Sequence, residues 1–597
     1  MTISALPPSI FLIIGAFLVP FLKGNLKKLF VLALPLVTLV SFLNMETGTY
    51  WQVQFLDMTL VLGRVDKLSF VFGLIFIIIT FVGVLYIMHQ NDDLEFVAGL
   101  FYAGSAVGAV LAGDLFSFLV FWEMLTLGSM FLIMARRTDE SRKAAFRYVL
   151  MHVFGGLLLI SGIILHVHET GSLEFTKINL SSLSSYLIFF GIGVNCAWPL
   201  LHTWLVDAYP SASVGGVVFL SSFTTKTAVY ALARAFPGEP LLIWIGVAMA
   251  AFPIFYAVIE NNLRKVLAYS LLNQLGFMVT GIGIGTQLAL NGAVTHAFCH
   301  ILYKGLLWMS MGAVLYRTGR TKCTELGGLY KSMPWTCLFC IIGAASISAF
   351  PLTNGFVSKS IIMSASLEEH FYLVWFVLLF AAAGVFHHAG IKIPFFAFFS
   401  HDRGLRTKEA PKNMLFAMGI AAFLCIFLGC FPQPLYDLLP FDNTLPSKGV
   451  PYTPYDYSHV VSQTQLLFFS ALAFCMLMLS GLYPAEIRSV NIDFDWVYRK
   501  SFGFFYCVMD KALNSLNSVC DATLAKGVPS NLAKAFRNFP GLLSANLLAL
   551  VWASFGLSSK EIKTRKEAVM ARIENGSASI GFSAIAAMVA LSFLIRW

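Results

Sequence analysis

Ionisable side chains of this sequence lie inside apolar segments that are long enough to cross a membrane. They are Glu123, Lys226, His296, His300, Lys304 and Lys359. A charge near the middle of a membrane span costs roughly 3 kcal/mol, so residues of this kind usually mark ion pathways, proton relays or internal ion pairs. Glutamate, lysine and histidine can all take up and release protons. The set predicts a file of proton-transfer groups at mid-membrane depth.

The spacing of three of these groups supports a relay. His296, His300 and Lys304 recur every four residues in HAFCHILYKGLLW, which places them on one face of a helix. Two histidines and a lysine lack the third ligand of a metal site. A single buried acid–base pair would simply join two helices, whereas groups in several separate spans favour proton transfer.

Other chemistry has weaker support in the sequence. His202 and Asp207 in PLLHTWLVDAYP could belong to an acyl-transfer site, but no nucleophile is positioned with them. Cys337 and Cys340 form a CxxC inside an apolar segment, which favours packing over metal or redox chemistry. Phosphate-binding glycine loops, dinucleotide fingerprints and haem motifs are absent from the sequence. We expect no metal, no cofactor and no self-contained chemical active site.

The composition is that of a polytopic membrane protein. Of 597 residues, 58% are hydrophobic and 12% are charged, about half the charged fraction of a soluble domain. The mean hydropathy is +0.77. The net charge of +9 comes from basic residues in short loops, so it does not indicate nucleic-acid binding.

Apolar segments long enough to span hydrocarbon as helices recur along the chain. They are expected near 7–22, 29–44, 68–88, 95–113, 115–134, 147–167, 186–204, 213–233, 241–259, 266–286, 291–316, 334–366, 371–391, 413–430, 464–483 and 578–595. Two spans should be interrupted, at Asp207–Val214 around Pro210 and at Phe350–Gly355 around Pro351. Such breaks are tolerated where they line a wet cavity, and paired breaks indicate inverted repeats.

Loop charge predicts the orientation. With the N-terminus outside, the inner loops hold most of the basic residues, among them Lys27, Arg136, Arg264, Lys265 and Lys392. Because positive loops stay inside, we expect the N-terminus outside the bacterial inner membrane.

The segment 484–577 is amphipathic rather than apolar. We expect it to lie along the inner face, as a lateral brace or against a partner subunit. The predicted organisation is 1–92 N-terminal spans, 93–234 first repeat, 241–400 second repeat, 410–483 C-terminal spans, 484–577 amphipathic segment and 578–597 last span.

The motifs resemble those of the antiporter-like subunits shared by Mrp-type cation/proton antiporters, respiratory complex I and membrane-bound hydrogenases, and are most similar to the Mrp D-type subunit. The resemblance runs from about Asp66 to Phe399. It is carried by FWEM, PLLHTWLVDAYP, TTKTAVYALAR, NLRKVLAYSLLNQLGFM, HAFCHILYKGLLW and PLTNGFVSK. It implies an all-α fold with a fourteen-helix core of two inverted five-helix repeats, each with a broken helix, plus a C-terminal extension.

The resemblance also implies roles for individual residues. Glu123 would communicate with the neighbouring subunit, Lys226 would connect the two half-channels, and Lys359 would be the terminal lysine. The series of His296, His300 and Lys304 would lead toward the half-channel through which protons leave. Further candidates are Asn195, His202, Asp207, Arg264, Lys265, His387 and His388.

One departure from the family pattern alters the half of the relay through which protons would enter. Relatives carry a lysine seven residues before the histidine of the PLH motif, and here that position is Asn195. An asparagine can hydrogen-bond a carboxyl group but cannot supply the positive charge that would pair with it.

We therefore expect a proton-translocating subunit of a multisubunit sodium (or other monovalent cation)/proton antiporter, associated with other membrane subunits. Two alternatives remain open: a proton-pumping subunit of a redox complex of the complex I, NADH:quinone oxidoreductase or hydrogenase type, and a scaffold subunit whose channel is impaired by Asn195.

Overall fold

The computed structural model describes residues 6–90, 92–445, 449–483, 487 and 491–574. The chain divides into two compact units, one ending at Phe494 and one beginning at Asp495. The predicted last span, 578–595, lies outside the described residues.

The first unit is a bundle of apolar helices. Its helices are α1 (Pro8–Leu18), α2 (Gly24–Leu43), α3 (Lys67–Ile87), α4 (Asp93–Leu111), α5 (Leu115–Met134), α6 (Asp139–Thr170), α7 (Leu183–Asn195), α8 (Thr203–Ser211), α9 (Gly216–Ser222), α10 (Thr224–Ala235), α11 (Pro240–Ile259), α12 (Leu263–Ile284), α13 (Gln287–Thr318), α14 (Pro334–Ile347), α15 (Asn354–Glu368), α16 (Tyr372–Val385), α17 (Lys392–Pro394), α18 (Lys412–Cys430), α19 (Gln433–Tyr436) and α20 (Tyr457–Leu479). Wider π-helical turns flank α17 at Phe386–Ile391 and Phe395–Phe399, so α16 continues to Phe399 as one distorted helix.

Twelve helices among the described residues are long and apolar enough to cross a membrane, and shorter apolar helices accompany them. Each predicted span that falls on described residues is helical over most of its length. The prediction of an all-α polytopic membrane protein is confirmed.

Side-chain caps fix where several helices begin. Asp66 accepts the backbone N–H of Ser69 at 2.9 Å, and the Ser69 hydroxyl accepts the N–H of Asp66, which closes a capping box on α3. Asp114 likewise accepts the N–H of Ser117 at 2.7 Å at the start of α5. These bonds satisfy donors that have no partner within the helix.

A β-hairpin, which the sequence analysis did not predict, follows α2. Its strands, β1 (Gly48–Phe55) and β2 (Met58–Val65), are antiparallel and joined by a two-residue turn. The hairpin is anchored to α5, because the Val61 amide donates to the Asp114 carboxylate at 2.8 Å. A short second pair, β3 (Thr444–Leu445) and β4 (Val450–Pro451), follows α19.

The first helix break lies at a different place from the one predicted. The interruption is at 196–202, between α7 and α8, and it contains Pro199. Pro210 lies inside α8, in the last turn before the helix ends. The predicted break at Asp207–Val214 is therefore wrong: it covers the end of α8 and the turn that leads to α9. The second break, at 348–353 between α14 and α15, contains Pro351 as expected.

The two breaks have closely similar sequences and the same backbone conformation. Ala197–Leu200 reads AWPL and Ala349–Leu352 reads AFPL. The first and last residues of each segment are left-handed, with φ of 59° and 71° in the first and 58° and 68° in the second. Non-glycine residues seldom adopt this conformation, so the shared strain is a specific local similarity.

The hydrogen bonds at the two breaks also correspond. The amide of Trp198 donates to the carbonyl of Gly193 at 3.3 Å, and that of Phe350 donates to the carbonyl of Ala345 at 3.0 Å. In both cases the preceding alanine donates to the carbonyl three residues before it. This is the Schellman arrangement, which satisfies carbonyl groups where a helix stops.

Close pairing of α11 with α12 depends on small residues. A Cβ atom added at Gly276 would lie 2.3 Å from the amide nitrogen of Ala250, and one at Gly246 would lie 2.4 Å from that of Thr280. Backbones can approach this closely only where a side chain is missing. The pairing fixes the position of α12, which contributes several polar side chains to the interior.

The second unit is helical throughout most of its described residues. It comprises α21 (Asp495–Cys520), a π-helical segment (Asp521–Gly527), α22 (Val528–Ser554) and α23 (Ser559–Glu574). The α22 and α23 helices run antiparallel, with Gly541 facing Ile573 and the Arg565 guanidinium over the Trp552 ring. That this unit lies along the inner membrane face stays a prediction.

Candidate functional site

Two buried lysines of the predicted relay donate to backbone carbonyl groups. Lys226 Nζ lies 2.7 Å from the carbonyl oxygen of Ser221, at the kink between α9 and α10, and 3.1 Å from the Thr225 hydroxyl. Lys359 Nζ donates to the carbonyl of Ile347 at 2.6 Å, across the second break. In the part of the chain that the structure describes, neither lysine forms an ion pair.

These carbonyl groups lie at the C-terminal ends of helix segments. The last carbonyls of a helix have no partner within it and carry partial negative charge. The dipole at such a helix end stabilises an ammonium group, although it carries only a partial negative charge. The lysine can therefore lose its proton without leaving an unpaired carboxylate in the interior.

The histidines of α13 belong to a polar network. His296 Nδ1 lies 3.0 Å from the Ser358 hydroxyl of α15, and its Nε2 lies 3.4 Å from Tyr303 OH. Tyr303 OH donates to Gln274 Oε1 of α12 at 3.0 Å. This network joins α12, α13 and α15 through groups that can donate and accept hydrogen bonds.

His300 is the point where the predicted relay groups converge. Both of its ring nitrogens are buried without a hydrogen-bond partner among the described residues. Its ring lies within electrostatic range of Lys226, Lys304, His296 and Lys359. The structure thus brings five of the predicted groups together in one buried cluster, with Lys304 donating to the Ser270 hydroxyl of α12.

His387 and His388 continue this cluster into the distorted helix. His388 is fully buried, and it lies within electrostatic range of Lys304. His387 is half-buried, and its ring contacts Phe474 and Tyr483.

Lys392 does not lie in a loop, as the sequence analysis expected. It is fully buried in α17, and its ammonium donates to the carbonyls of Val258 at 2.6 Å and Glu260 at 2.8 Å. Both carbonyls are at the C-terminal end of α11, so this lysine caps a helix. Its contacts are those of a structural residue.

Arg264 caps another helix end. This buried guanidinium donates to the carbonyls of Ala212 at 3.1 Å and Ser213 at 3.3 Å, just beyond α8. Glu95 occupies the opposite end of the same turn, where its carboxylate accepts the Gly216 amide of α9 at 2.9 Å and the Ser213 hydroxyl at 2.5 Å. Lys265 is partly exposed one residue after Arg264.

Glu123 and Asn195 flank α6 at two adjacent glycines. A Cβ at Gly156 would lie 2.1 Å from Glu123 Oε1, and a Cβ at Gly155 would lie 3.4 Å from Asn195 Oδ1. Among the described residues Glu123 has no ion-pair partner, and the buried Asn195 Oδ1 has no hydrogen-bond donor. Among the described residues, the asparagine at 195 thus provides no cationic partner for Glu123 across α6.

His202 and Asp207 have partners that the sequence did not indicate. His202 Nε2 lies 3.2 Å from Asp493 Oδ2, and Tyr269 OH donates to the same oxygen at 2.8 Å. Burial alone would raise the pKa of the Asp493 carboxyl, but the contacts from His202 and Tyr269 hold that pKa below its usual value. Asp207 forms a two-bond ion pair with Arg147, at 2.7 and 3.0 Å.

A second polar group on α6 was not predicted from the sequence. His152 is buried and packs against the rings of Tyr148 and Trp204. Tyr148 OH lies 2.8 Å from the Ser129 hydroxyl and 3.3 Å from that of Thr224. The signal in the sequence was the histidine itself, because it lies inside an apolar span, at MHVFGG.

Comparison with known proteins adds an independent line of evidence. The family model described as "NADH:quinone oxidoreductase/Mrp antiporter, TM" matches residues 112–386. Hydrogenase-4 component B of Escherichia coli K12 is 28% identical over 498 residues, 74% of this chain and 73% of that protein. The D-type Na(+)/H(+) antiporter subunit of Alkalihalophilus pseudofirmus is 28% identical over 352 residues, 55% of this chain and 71% of that protein.

Solved structures share the fold. A chain of the archaeal membrane-bound sulfane sulfur reductase superposes with a TM-score of 0.69 at 21% identity, covering 91% of this chain and 99% of the other. A chain of the Mrp complex from Dietzia sp. DQ12-45-1b gives 0.64 at 19% identity, covering 74% of this chain and 97% of the other.

Proposed function

We propose that this chain, whose residues 112–386 match the model of the NADH:quinone oxidoreductase/Mrp antiporter transmembrane family, translocates protons as an antiporter-like subunit of a multisubunit membrane complex. The observation that carries this proposal is the buried cluster around His300. Its members lie within electrostatic range of His300, and its lysines are held by dipoles and hydroxyl groups rather than by carboxylates.

The proposed path runs from Glu123 through Lys226 to His300, then by His296 or Lys304 to Lys359. When a proton binds to one group, the positive charge makes the protonated form of the neighbouring group less favourable. Protons therefore move along the row of groups in steps. Two repeats, 93–234 and 241–400, would each supply one half-channel. The matching breaks at Ala197–Leu200 and Ala349–Leu352 support this organisation.

The coupled reaction in our first proposal is exchange of cytoplasmic sodium, or another monovalent cation, for external protons. The similarity to the D-type Na(+)/H(+) antiporter subunit supports it. The distribution of basic loops supports an N-terminus outside the cell membrane. Other membrane subunits would be the partners.

A specific observation also favours a second candidate, a proton-pumping subunit of a redox complex. The Mrp chain covers 74% of this chain, whereas the chain of the sulfane sulfur reductase covers 91%. The longer alignment with hydrogenase-4 component B supports the same candidate. Redox energy would have to come from partner subunits.

Purification of the intact complex, followed by mass spectrometry and reconstitution into proteoliposomes, tests the proposal. Proton flux started by a sodium gradient, in a complex made only of membrane subunits, supports cation exchange. Proton flux started by an electron donor, with iron–sulfur or flavin subunits present, supports the redox candidate. A correctly assembled complex that moves no protons under either condition contradicts both.

A further inference from the structure

A polar seam lies between α5 and α6. At one end, the Glu123 carboxylate fills the space that a Cβ at Gly156 would need. At the other end, Tyr148 OH lies 2.8 Å from the Ser129 hydroxyl. The residue numbers increase on α5 as they decrease on α6, so the two helices run antiparallel, and the seam extends over about two helical turns.

Thr126 and His152 occupy the middle of this seam. Thr126 lies one turn after Glu123 on α5, and His152 lies one turn before Gly156 on α6, so both lie between the two fixed ends of the seam. Both side chains are buried, and Thr126 Oγ1 and His152 Nε2 have no hydrogen-bond partner among the described residues. Buried polar atoms are seldom left in this state without a functional reason or a water molecule.

The proton position on His152 follows from its neighbour. His152 Nδ1 lies 2.9 Å from the Tyr148 carbonyl oxygen, which can only accept a hydrogen bond. Nδ1 therefore carries the proton, and Nε2 is left as a bare acceptor. This acceptor is buried in the same seam as the Glu123 carboxyl.

The seam leads on toward Lys226. Tyr148 OH lies 3.3 Å from the hydroxyl of Thr224, which lies 2.6 Å from Tyr102 OH. Thr224 begins α10 at the kink, and the Thr225 hydroxyl that follows it accepts from Lys226 Nζ at 3.1 Å. Hydroxyl groups and one or two waters would complete a hydrogen-bonded chain along this route.

We infer that His152 is the proton acceptor for Glu123, and that the α5–α6 seam carries the proton from Glu123 to Lys226. This inference rests on the proposed function. The Glu123 carboxyl loses a proton, by way of the Thr126 hydroxyl, and His152 Nε2 gains it. The imidazolium then releases its Nε2 proton, because the Nδ1 proton stays hydrogen-bonded to the Tyr148 carbonyl. The hydroxyl chain passes that proton to an unprotonated Lys226, so that one positive charge moves and no heavy-atom bond changes.

His152→Gln in the complete complex tests this step, with His168→Gln as the matched control. His168 is an exposed histidine at the end of the same helix. We expect proton flux to fall by about tenfold or more in His152→Gln, with unchanged thermal stability in detergent, and to stay at the wild-type level in His168→Gln. Adding Asn195→Lys to His152→Gln places a basic group on the other side of Gly155 and should restore flux, which a merely structural role for His152 would not allow.

Wild-type flux in an assembled His152→Gln complex overturns the inference. If that variant fails to assemble, Thr126→Val removes the facing hydroxyl at nearly equal volume: reduced flux supports the seam, and unchanged flux overturns it. Lys226→Ala separates this inference from the proposed function. If Lys226→Ala is inactive while His152→Gln is fully active, only the seam is excluded; if Lys226→Ala is fully active, the proposed function fails.

Discussion

The ammonium group of Lys359 donates a 2.6 Å hydrogen bond to the carbonyl oxygen of Ile347, across the break of an interrupted helix. This carbonyl at the end of one half-helix is thus satisfied by a lysine from the following half-helix. Lys226 has an equivalent contact with the carbonyl of Ser221. Both buried cations are stabilised by helix ends, which explains how they can exist in the bundle without carboxylate partners in the described part of the chain.

Replacement of Lys359 by methionine should stop proton flux while the complex still assembles. Methionine fills a similar volume, but it can neither carry a proton nor donate to the Ile347 carbonyl. Everted vesicles with equal amounts of assembled complex provide the measurement. Flux above about a tenth of the wild-type rate would contradict a transfer role for this lysine.

Lys392→Met should lower the stability of the protein rather than stop proton flux. The loss of the cap leaves carbonyls at the end of α11 unsatisfied, which should lower the free energy of unfolding by about 1–3 kcal/mol. Flux per assembled complex should persist. Lys412→Met, at an exposed lysine, is the control that should leave the thermal midpoint unchanged. Loss of flux at full stability would mean that Lys392 belongs to the relay.

Asp493→Asn should destabilise the first unit in a pH-dependent manner. Because the pKa of Asp493 is lowered in the folded protein, its carboxylate contributes stability above the ordinary carboxyl pKa of about 4. That contribution is lost as pH falls through the lowered value. Thermal midpoints of wild type and variant should therefore differ at pH 7 and converge on acidification.

Asp442→Asn, at an exposed carboxylate, is the control for that comparison. A midpoint difference between wild type and Asp493→Asn that stays constant from pH 7 to about pH 3 would exclude the carboxylate as its cause.

Ala349→Gly should be tolerated, although glycine usually weakens a helical protein. Ala349 is left-handed, with φ of 58°, a conformation that costs roughly 1 kcal/mol for alanine but not for glycine. Ala344→Gly, inside α14, should lower the thermal midpoint, because glycine there costs about 1 kcal/mol. Equal destabilisation by both substitutions would show that the break carries no such strain.

The spans were predictable because long apolar runs have few alternatives in lipid, and the buried ionisable residues stood out because charge is rare there. The first break was misplaced because two prolines stand close together. Pro210 fits the end of α8, where the helix stops in any case, whereas Pro199 lies close to the left-handed Ala197. The similarity of AWPL to AFPL was the local signal that would have located the first break correctly.

Contacts between distant residues could not be read from local patterns. Asp493 lies 291 residues after His202, and Lys392 donates to the carbonyl of Glu260, 132 residues before it. Such pairings are set by packing, which hydropathy does not encode. The β-hairpin was missed for a different reason: its alternating residues lie between apolar spans, where a connecting loop was expected.

The most direct test of proton translocation through this chain is proton flux in everted vesicles that carry the complete complex with Lys226→Ala. Lys226 is fully buried at the kink between α9 and α10, and it connects the Thr224 side to the cluster around His300. We predict that the variant assembles at wild-type levels and shows no coupled proton flux. Wild-type flux in the assembled variant would contradict the relay.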